Sequence, residues 1–330
     1  MLKSMWRSLI GSCLISVSSF LSPALASEPT ASSPAPEFSL DNIQIDSSYQ
    51  ADNFNLKIFS LEPSVTFKFS NGHKLSLKSG FISLKDQPFF RDVTIYPVRL
   101  GWEGNIEQFA LKAGITSYNY DRLPSAVGFD AGVNFAILPN LFFGATLERT
   151  PMKYAPSTLE IPGITTYTAF GPSLFWAIDP DTSLFGFISF INVNDGNAGS
   201  ISLTKLKRNF GQFFVAANVV TTSYARDSAP AIFTPQDFFI YNGEIGWQGD
   251  LTEGVNLKAQ VNLGEQRLRG EWTNALYYEI QLTAKLSQAI DAFVNYNFGK
   301  FDQTTYFREL AGTSDLYSRS LVTAQIRMRF

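Results

Sequence analysis

The stretch Val322-Thr323-Ala324-Gln325-Ile326-Arg327-Met328-Arg329-Phe330 alternates without a break. In an extended segment Val322, Ala324, Ile326, Met328 and Phe330 share one face, and Thr323, Gln325, Arg327 and Arg329 share the other. The pattern repeats upstream. Val255, Leu257, Ala259, Val261 and Leu263 oppose Asn256, Lys258, Gln260 and Asn262. Leu276, Tyr278, Ile280, Leu282 and Ala284 oppose Tyr277, Glu279, Gln281, Thr283 and Lys285, and Ala292, Val294, Tyr296 and Phe298 oppose Phe293, Asn295 and Asn297. A wall of such strands has one apolar side and one wet side.

Composition agrees with dispersed rather than massed apolar residues. Hydrophobic residues make up 45% of the chain, yet the mean hydropathy is −0.01. Downstream of Ala26 no apolar run approaches the ~18 residues of a membrane helix, so any crossing of a membrane is made by strands. The N-terminus reads differently. Lys3 and Arg7 precede an uncharged stretch from Ser8 to Leu21, and Ala24-Leu25-Ala26 offers small residues at both recognition positions of a signal-peptide cleavage site. Residues 1–26 are thus expected to be a signal peptide, residues 27–40 a Pro/Ser/Ala-rich linker, and residues 41–330 a single all-β domain.

Connections between the alternating segments sort by parity. Placing Phe330 at one rim assigns Leu286-Ser287-Gln288, Leu251-Thr252-Glu253-Gly254, Asn209-Phe210-Gly211, Asp179-Pro180-Asp181-Thr182, Pro139-Asn140, Gly104-Asn105 and Ser70-Asn71-Gly72-His73 to that side. All are short. Residues 300–316, 223–235, 194–200, 150–163, 119–127 and 85–90 fall on the opposite side and are generally longer, with the hairpin near Gly270 as a short exception. A soluble β-sandwich alternates too, but gives no reason for such sorting. Short turns at one rim and long loops at the other define an outer-membrane barrel. The expected fold is a transmembrane antiparallel β-barrel of about 16 strands, an even number as bacterial single-chain barrels require. The first strand is expected from Asn42 to Tyr49, with residues 54–62 either extending the second strand or forming a short one. Outer-membrane lipids and the barrel-assembly machinery are the implied partners. Phe330, closing an alternating strand, resembles the terminal aromatic which that machinery recognises.

Catalysis is not expected. His73 is the only histidine and falls in a turn on the short side, far from the rim where a barrel hydrolase would need an imidazole. Cys13 is the only cysteine and leaves with the signal, so neither cofactor nor metal chemistry on His or Cys is anticipated. The formal net charge of −3 becomes more negative once Lys3 and Arg7 are removed, which argues against nucleic acid.

The wet face carries the functional expectations. On it fall Lys68, Lys78, Arg99, Lys112, Lys258, Lys285, Arg327 and Arg329, opposed by Glu148, Glu244 and Glu279. Either this is a basic lumen favouring anions, or the bases satisfy lumen acids and rim phosphates. Phe142, Phe214, Phe238, Tyr277 and Phe293 share the face and offer flat platforms for sugar rings.

Two short motifs add a resemblance. Asn194-Asp195-Gly196-Asn197, after the segment Phe185–Val193, is similar to the DGN turn of barrels that export exopolysaccharide. Phe233-Thr234-Pro235-Gln236-Asp237-Phe238-Phe239, followed by Gly243-Glu244-Ile245-Gly246-Trp247, resembles the Y/F-x-P-Q stretch of the cellulose-secretion porin family. The similarity covers just under half of the chain, at its C-terminal end. It implies a conduit for a linear polysaccharide. That family carries a tetratricopeptide scaffold before the barrel, whereas only residues 27–40 stand there here, so a separate periplasmic scaffold protein is implied. A general or anion-selective diffusion porin and a structural or adhesive barrel are the alternatives.

Overall fold

The protein is described here by a computed structural model covering residues 38–53, 55–86, 91–151, 164–226, 235–268, 270–301 and 317–330. The segment read as a signal peptide lies outside these residues, as does most of the linker.

The described chain is strand throughout its regular structure. The segments are β1 (Phe38–Asp52), β2 (Leu56–Phe69), β3 (Lys74–Ser79), β4 (Phe81–Asp86), β5 (Arg91–Ile106), β6 (Phe109–Tyr120), β7 (Ala126–Leu138), β8 (Leu141–Pro151) and β9 (Thr166–Ala177). They continue as β10 (Thr182–Val193), β11 (Ala198–Phe210), β12 (Phe213–Tyr224), β13 (Phe238–Thr252), β14 (Val255–Leu268), β15 (Glu271–Lys285), β16 (Ile290–Phe301) and β17 (Tyr317–Arg329). Neighbours pair antiparallel, and β1 pairs with both β2 and β17, from Asn42↔Arg329 to Asp52↔Arg319 on the latter side. The sheet therefore closes on itself and leaves no row of unpaired N–H and C=O groups.

Segments β3 and β4 occupy one position in the wall. Both pair with β2 and with β5, and the registers run on across Gly80, from Ser64↔Lys78 to Leu61↔Phe81 and from Lys78↔Arg99 to Ile82↔Ile95. Pro63 and Pro97 sit in the flanking strands at this level, and each lacks a ladder donor. Gly80 itself is pressed against β2, where an added Cβ would lie 2.1 Å from the Leu61 carbonyl oxygen. Seventeen segments thus build a wall of sixteen strand positions.

Cross-strand partners share a face, so the registers settle facing around the whole wall. Side chains reaching over an intervening strand mark the concave side. Lys78 on β3 meets Asp46 on β1 at 2.8 Å, Arg99 on β5 meets Asp130 on β7 at 2.7 Å, and Lys205 on β11 meets Glu244 on β13 at 2.6 Å. The other side carries Ile45, Leu100, Ile115, Val219, Leu263, Ile280 and Ile326, all exposed, with Ile245 at 63%. In a 12-residue strand such as β10, about 3.4 Å per residue and a tilt of about 40° give a span of about 31 Å, enough to cross an apolar band of about 25 Å. Aromatic pairs flank that band, with Phe38–Phe67 and Phe109–Phe135 near one rim and Phe239–Trp272 and Tyr278–Phe298 near the other. This is a wall built for an apolar solvent outside.

Three details differ from the sequence reading. The β5–β6 turn falls at Glu107, whose φ is +52°, so Gly104 and Asn105 lie inside β5. Strand β1 begins at Phe38, within the segment read as linker, whereas residues 56–62 extend the second strand, one of the two readings left open for them. The loop rim is also less one-sided than expected, because the Asn55 N–H donates to the Asp52 carbonyl at 3.3 Å and Asn194–Asn197 closes tightly there.

Candidate functional site

The register places Lys68, Lys78, Arg99, Lys112, Phe142, Glu148, Phe214 and Phe238 on the inward face. Glu244, Lys258, Tyr277, Glu279, Lys285, Phe293, Arg327 and Arg329 share it. Their surroundings differ from a basic lumen, however. Acids on the same face, which alternation alone did not bring into view, neutralise most of the bases. Lys78 bridges Asp46 at 2.8 Å and Glu62 at 3.8 Å, Lys74 meets Asp41 at 2.9 Å, and Arg99 meets Asp130 at 2.7 Å. Arg329 pairs with Asp291, and Lys285 faces Asp291 in register. Lys112 stands opposite Glu103, and Lys68 lies between Ser39 and Lys74 near the turn rim. Arg327 donates from Nε to Gln44 Oε1 at 3.0 Å. Of the two readings of these bases, the pairings favour the one in which they satisfy acids of the same face.

Glycine makes room for these long side chains. A Cβ at Gly114 would come within 2.4 Å of the Arg99 guanidinium, and one at Gly132 within 2.7 Å of Lys112 Cε. The inward acids are satisfied in turn. Tyr167 donates to Glu148 at 2.9 Å, while Tyr277 and Asn295 donate to Glu279 at 2.6 and 2.9 Å.

The aromatic residues divide into two groups. Phe238, 3% exposed, packs beside Ile240 and Leu268, and Phe214, 2% exposed, lies flat across Gly246. Neither presents a ring to a passing sugar, which corrects the platform role expected for both. Phe142 (beside Phe175), Tyr277 and Phe293 remain partly exposed. Phe293, Arg327 and Arg329 line a recess of about 300 Å³ with Thr283, Asp291 and Gln325. Phe330 is exposed, and its backbone N–H donates to the Asp41 carbonyl at 3.1 Å, fastening the chain end to β1.

Toward the loop rim the inward face changes character. Leu56, Ile58, Ile82, Leu84, Val93, Ile95 and Tyr118 form one buried cluster, with Leu84 and Ile95 at 0% exposure. Tyr167, Phe187, Ile191, Ile201, Leu203, Val220 and Ile240 belong to a second. These side chains point inward by register, yet all are buried. Sixteen strands enclose room for an aqueous channel, but here the inward face of the loop half is mostly buried, with Gln50, Ser60, Thr222, Gln266 and Arg319 enclosed among the apolar side chains.

The two motifs stand at this closed end as braces. In Asn194–Asn197, Gly196 takes φ +82° and its N–H donates to the Val193 carbonyl at 3.0 Å. Asn194 Nδ2 donates to the Ile164 carbonyl, and the Thr166 N–H donates back to Asn194 Oδ1. Asn197, 1% exposed, accepts from the Arg226 N–H and donates to the Arg226 carbonyl. The turn therefore ties the start of β9 to the chain leaving β12. Pro235 and Gln236 offer their carbonyls to the Tyr224 N–H and the Ser223 hydroxyl. Phe233 and Thr234 lie outside the described residues. His73 sits in the β2–β3 turn, edge-on to Trp102.

No protein-family model matches the chain, and neither does any curated protein. Among solved structures it resembles a bacterial polysaccharide outer membrane secretin, with a TM-score of 0.70 and 13% identity over 88% of this chain and 98% of that one. It resembles CdiB from Acinetobacter baumannii less closely, with a TM-score of 0.53 and 9% identity over 88% of this chain and 60% of that one. Identities this low speak to architecture alone. The fold is a closed antiparallel barrel of the outer-membrane kind.

Proposed function

We propose that this chain is an outer-membrane channel through which a linear polysaccharide leaves the cell, with the turn rim facing the periplasm and the loop rim facing outward. The observation that carries this reading is a strip of side-chain amides on the inward face of β12 to β16. Asn218 donates to Asn242 at 2.8 Å and to Asn262 at 3.2 Å, and Gln260, Gln281, Asn295 and Asn297 continue the strip. Asn242, Gln260, Gln281 and Asn295 remain partly exposed along it. Whatever meets them must both donate and accept hydrogen bonds, as sugar hydroxyls do. The similarity to a polysaccharide secretin over nearly its whole length supports the same reading. We further propose that the buried loop half of the inward face closes the channel in the described form and parts for export.

The test is loss of the chain from its own host. Deletion is expected to abolish surface polysaccharide while the polymer accumulates in the periplasm, with uptake of small solutes unchanged. Normal surface polysaccharide together with slowed small-solute uptake would instead identify a diffusion porin.

A further inference from the structure

Bases outnumber acids at two places on the inward face: Lys285, Arg327 and Arg329 share Asp291 at the turn rim, and a second cluster lies deeper in the wall. On β11 the side chains of Lys205 and Lys207 lie beside the Glu244 carboxylate of β13, and Lys258 of β14 adds a third ammonium group near Lys207. Lys205 is bonded to Glu244 at 2.6 Å, and the carboxylate is buried at 3% exposure. Lys207 lies 4.1 Å over the ring of Phe214 and has Lys205 and Lys258 as neighbouring like charges. Lys258 faces Gln248 and Gln281 in register, and its diagonal neighbour Asp250 is exposed and accepts from Asn256 at 3.1 Å. Glu279, on the next strand, is engaged by Tyr277 and Asn295. All three lysines remain partly exposed to the lumen. One acid cannot neutralise three ammonium groups, and like charges held together in a partly dry wall repel unless an anion joins them.

The arrangement is held in place from below. A Cβ on Gly246 would fall 2.1 Å from Phe214 Cζ, so only glycine lets that ring lie flat, and the flat ring supports Lys207 from beneath. From this geometry we infer that Lys205, Lys207 and Lys258 form an anion subsite, which receives an acidic substituent, a carboxylate or a phosphate, carried by the exported polysaccharide. Glu244 anchors Lys205, leaving Lys207 and Lys258 to engage the anion. The substrate class this adds is a polyhydroxylated chain with acidic groups, and the inference rests on the export reading above for the chain but not for the charge.

Equilibrium binding to the purified barrel in neutral detergent tests it with three probes: tetragalacturonate, uncharged cellotetraose and inorganic phosphate. Tetragalacturonate is expected to bind more tightly than cellotetraose, and the advantage should fade toward 1 M salt, where the screening length drops to about 3 Å. The double variant Lys207→Gln, Lys258→Gln should weaken tetragalacturonate about tenfold in 0.1 M salt, where screening extends only about 10 Å, and leave cellotetraose unchanged. Lys258→Arg, which keeps the charge, should bind as the parent does, and heat-modifiable migration of each variant verifies that the barrel has formed. Equal binding of the two saccharides, or indifference to the double substitution, overturns the subsite and leaves the export reading standing. Phosphate binding that the double variant loses, with neither saccharide bound, upholds the subsite and removes the export reading.

Discussion

The two halves of the inward face obey different rules. Near the turn rim it is a wet wall, where Lys78, Asp46, Glu62, Arg99 and Asp130 hold partners while staying between 22% and 31% exposed. Near the loop rim the same face, in the same strands, carries Leu84, Ile95, Ile191 and Ile201 with almost no exposure. Strand β2 passes from one regime to the other, with Glu62 and Ser64 followed toward the loop rim by Ile58 and Leu56 on a single face. What a strand faces in a barrel is thus set by height as well as by parity. A channel with this division has a hydrated entrance and an apolar closure.

The largest expected effect comes from cutting into the closure. Ile201→Ala removes buried atoms from the second apolar cluster and should cost about 2–5 kcal/mol in urea unfolding from lipid vesicles. Lys78→Gln in the wet half should cost no more than about 1 kcal/mol, since its partners are exposed enough to be solvated. Equal losses would erase the distinction between the halves.

A smaller effect is expected at the brace over the closed end. Asn197→Ala leaves the Arg226 N–H and carbonyl without their side-chain partner and should cost about 1–3 kcal/mol, with faster cleavage by added protease at the loop rim only. Unchanged cleavage would mean that the DGN turn does not hold the closure.

The smallest effect lies at the turn rim and depends on pH. The Asp179 carboxylate accepts the N–H groups of Asp181 and Thr182 at 2.9 and 2.8 Å, which holds its pKa below the usual carboxylate value. A depressed pKa stabilises the turn above the unfolded value of about 3.9 and loses that contribution only as pH falls through the folded value. Amide exchange at Asp181 and Thr182, compared with an Asp179→Asn variant, should therefore be flat near neutrality and diverge only in acid. Divergence at neutral pH would mean that another group holds the turn.

Much of this was legible in the sequence, for a physical reason. In β14 to β17 apolar and polar residues alternate cleanly, so inside and outside differ in hydropathy and the facing of Lys258, Glu279 or Arg327 can be read directly. In β10, Phe185, Phe187 and Ile191 on the inward face oppose Leu184, Ile188 and Phe190 on the outward one, and hydropathy cannot tell the sides apart. The apolar closure was hidden for that reason. The charge balance was hidden for another: Lys78 meets Asp46 from two strands away, a sequence separation that no local pattern carries. Phe238 and Phe214 had the right parity but not the exposure, because parity reports direction and says nothing of what lies in front of a ring.

The division of the inward face is tested most directly by the access of water to each half. Cys13 is the only cysteine in the chain, so with Cys13→Ser in place a single thiol can be set anywhere in the wall. The thiols of Ile201→Cys and Lys258→Cys, in folded protein in lipid vesicles, are exposed to a small charged thiol reagent, and the two labelling rates are compared. The account predicts fast labelling at position 258 and labelling at position 201 slower by at least about a hundredfold, the ratio expected if access requires an opening costing about 2.7 kcal/mol or more. Equal rates would show that water fills the lumen from rim to rim, and the apolar closure would be contradicted.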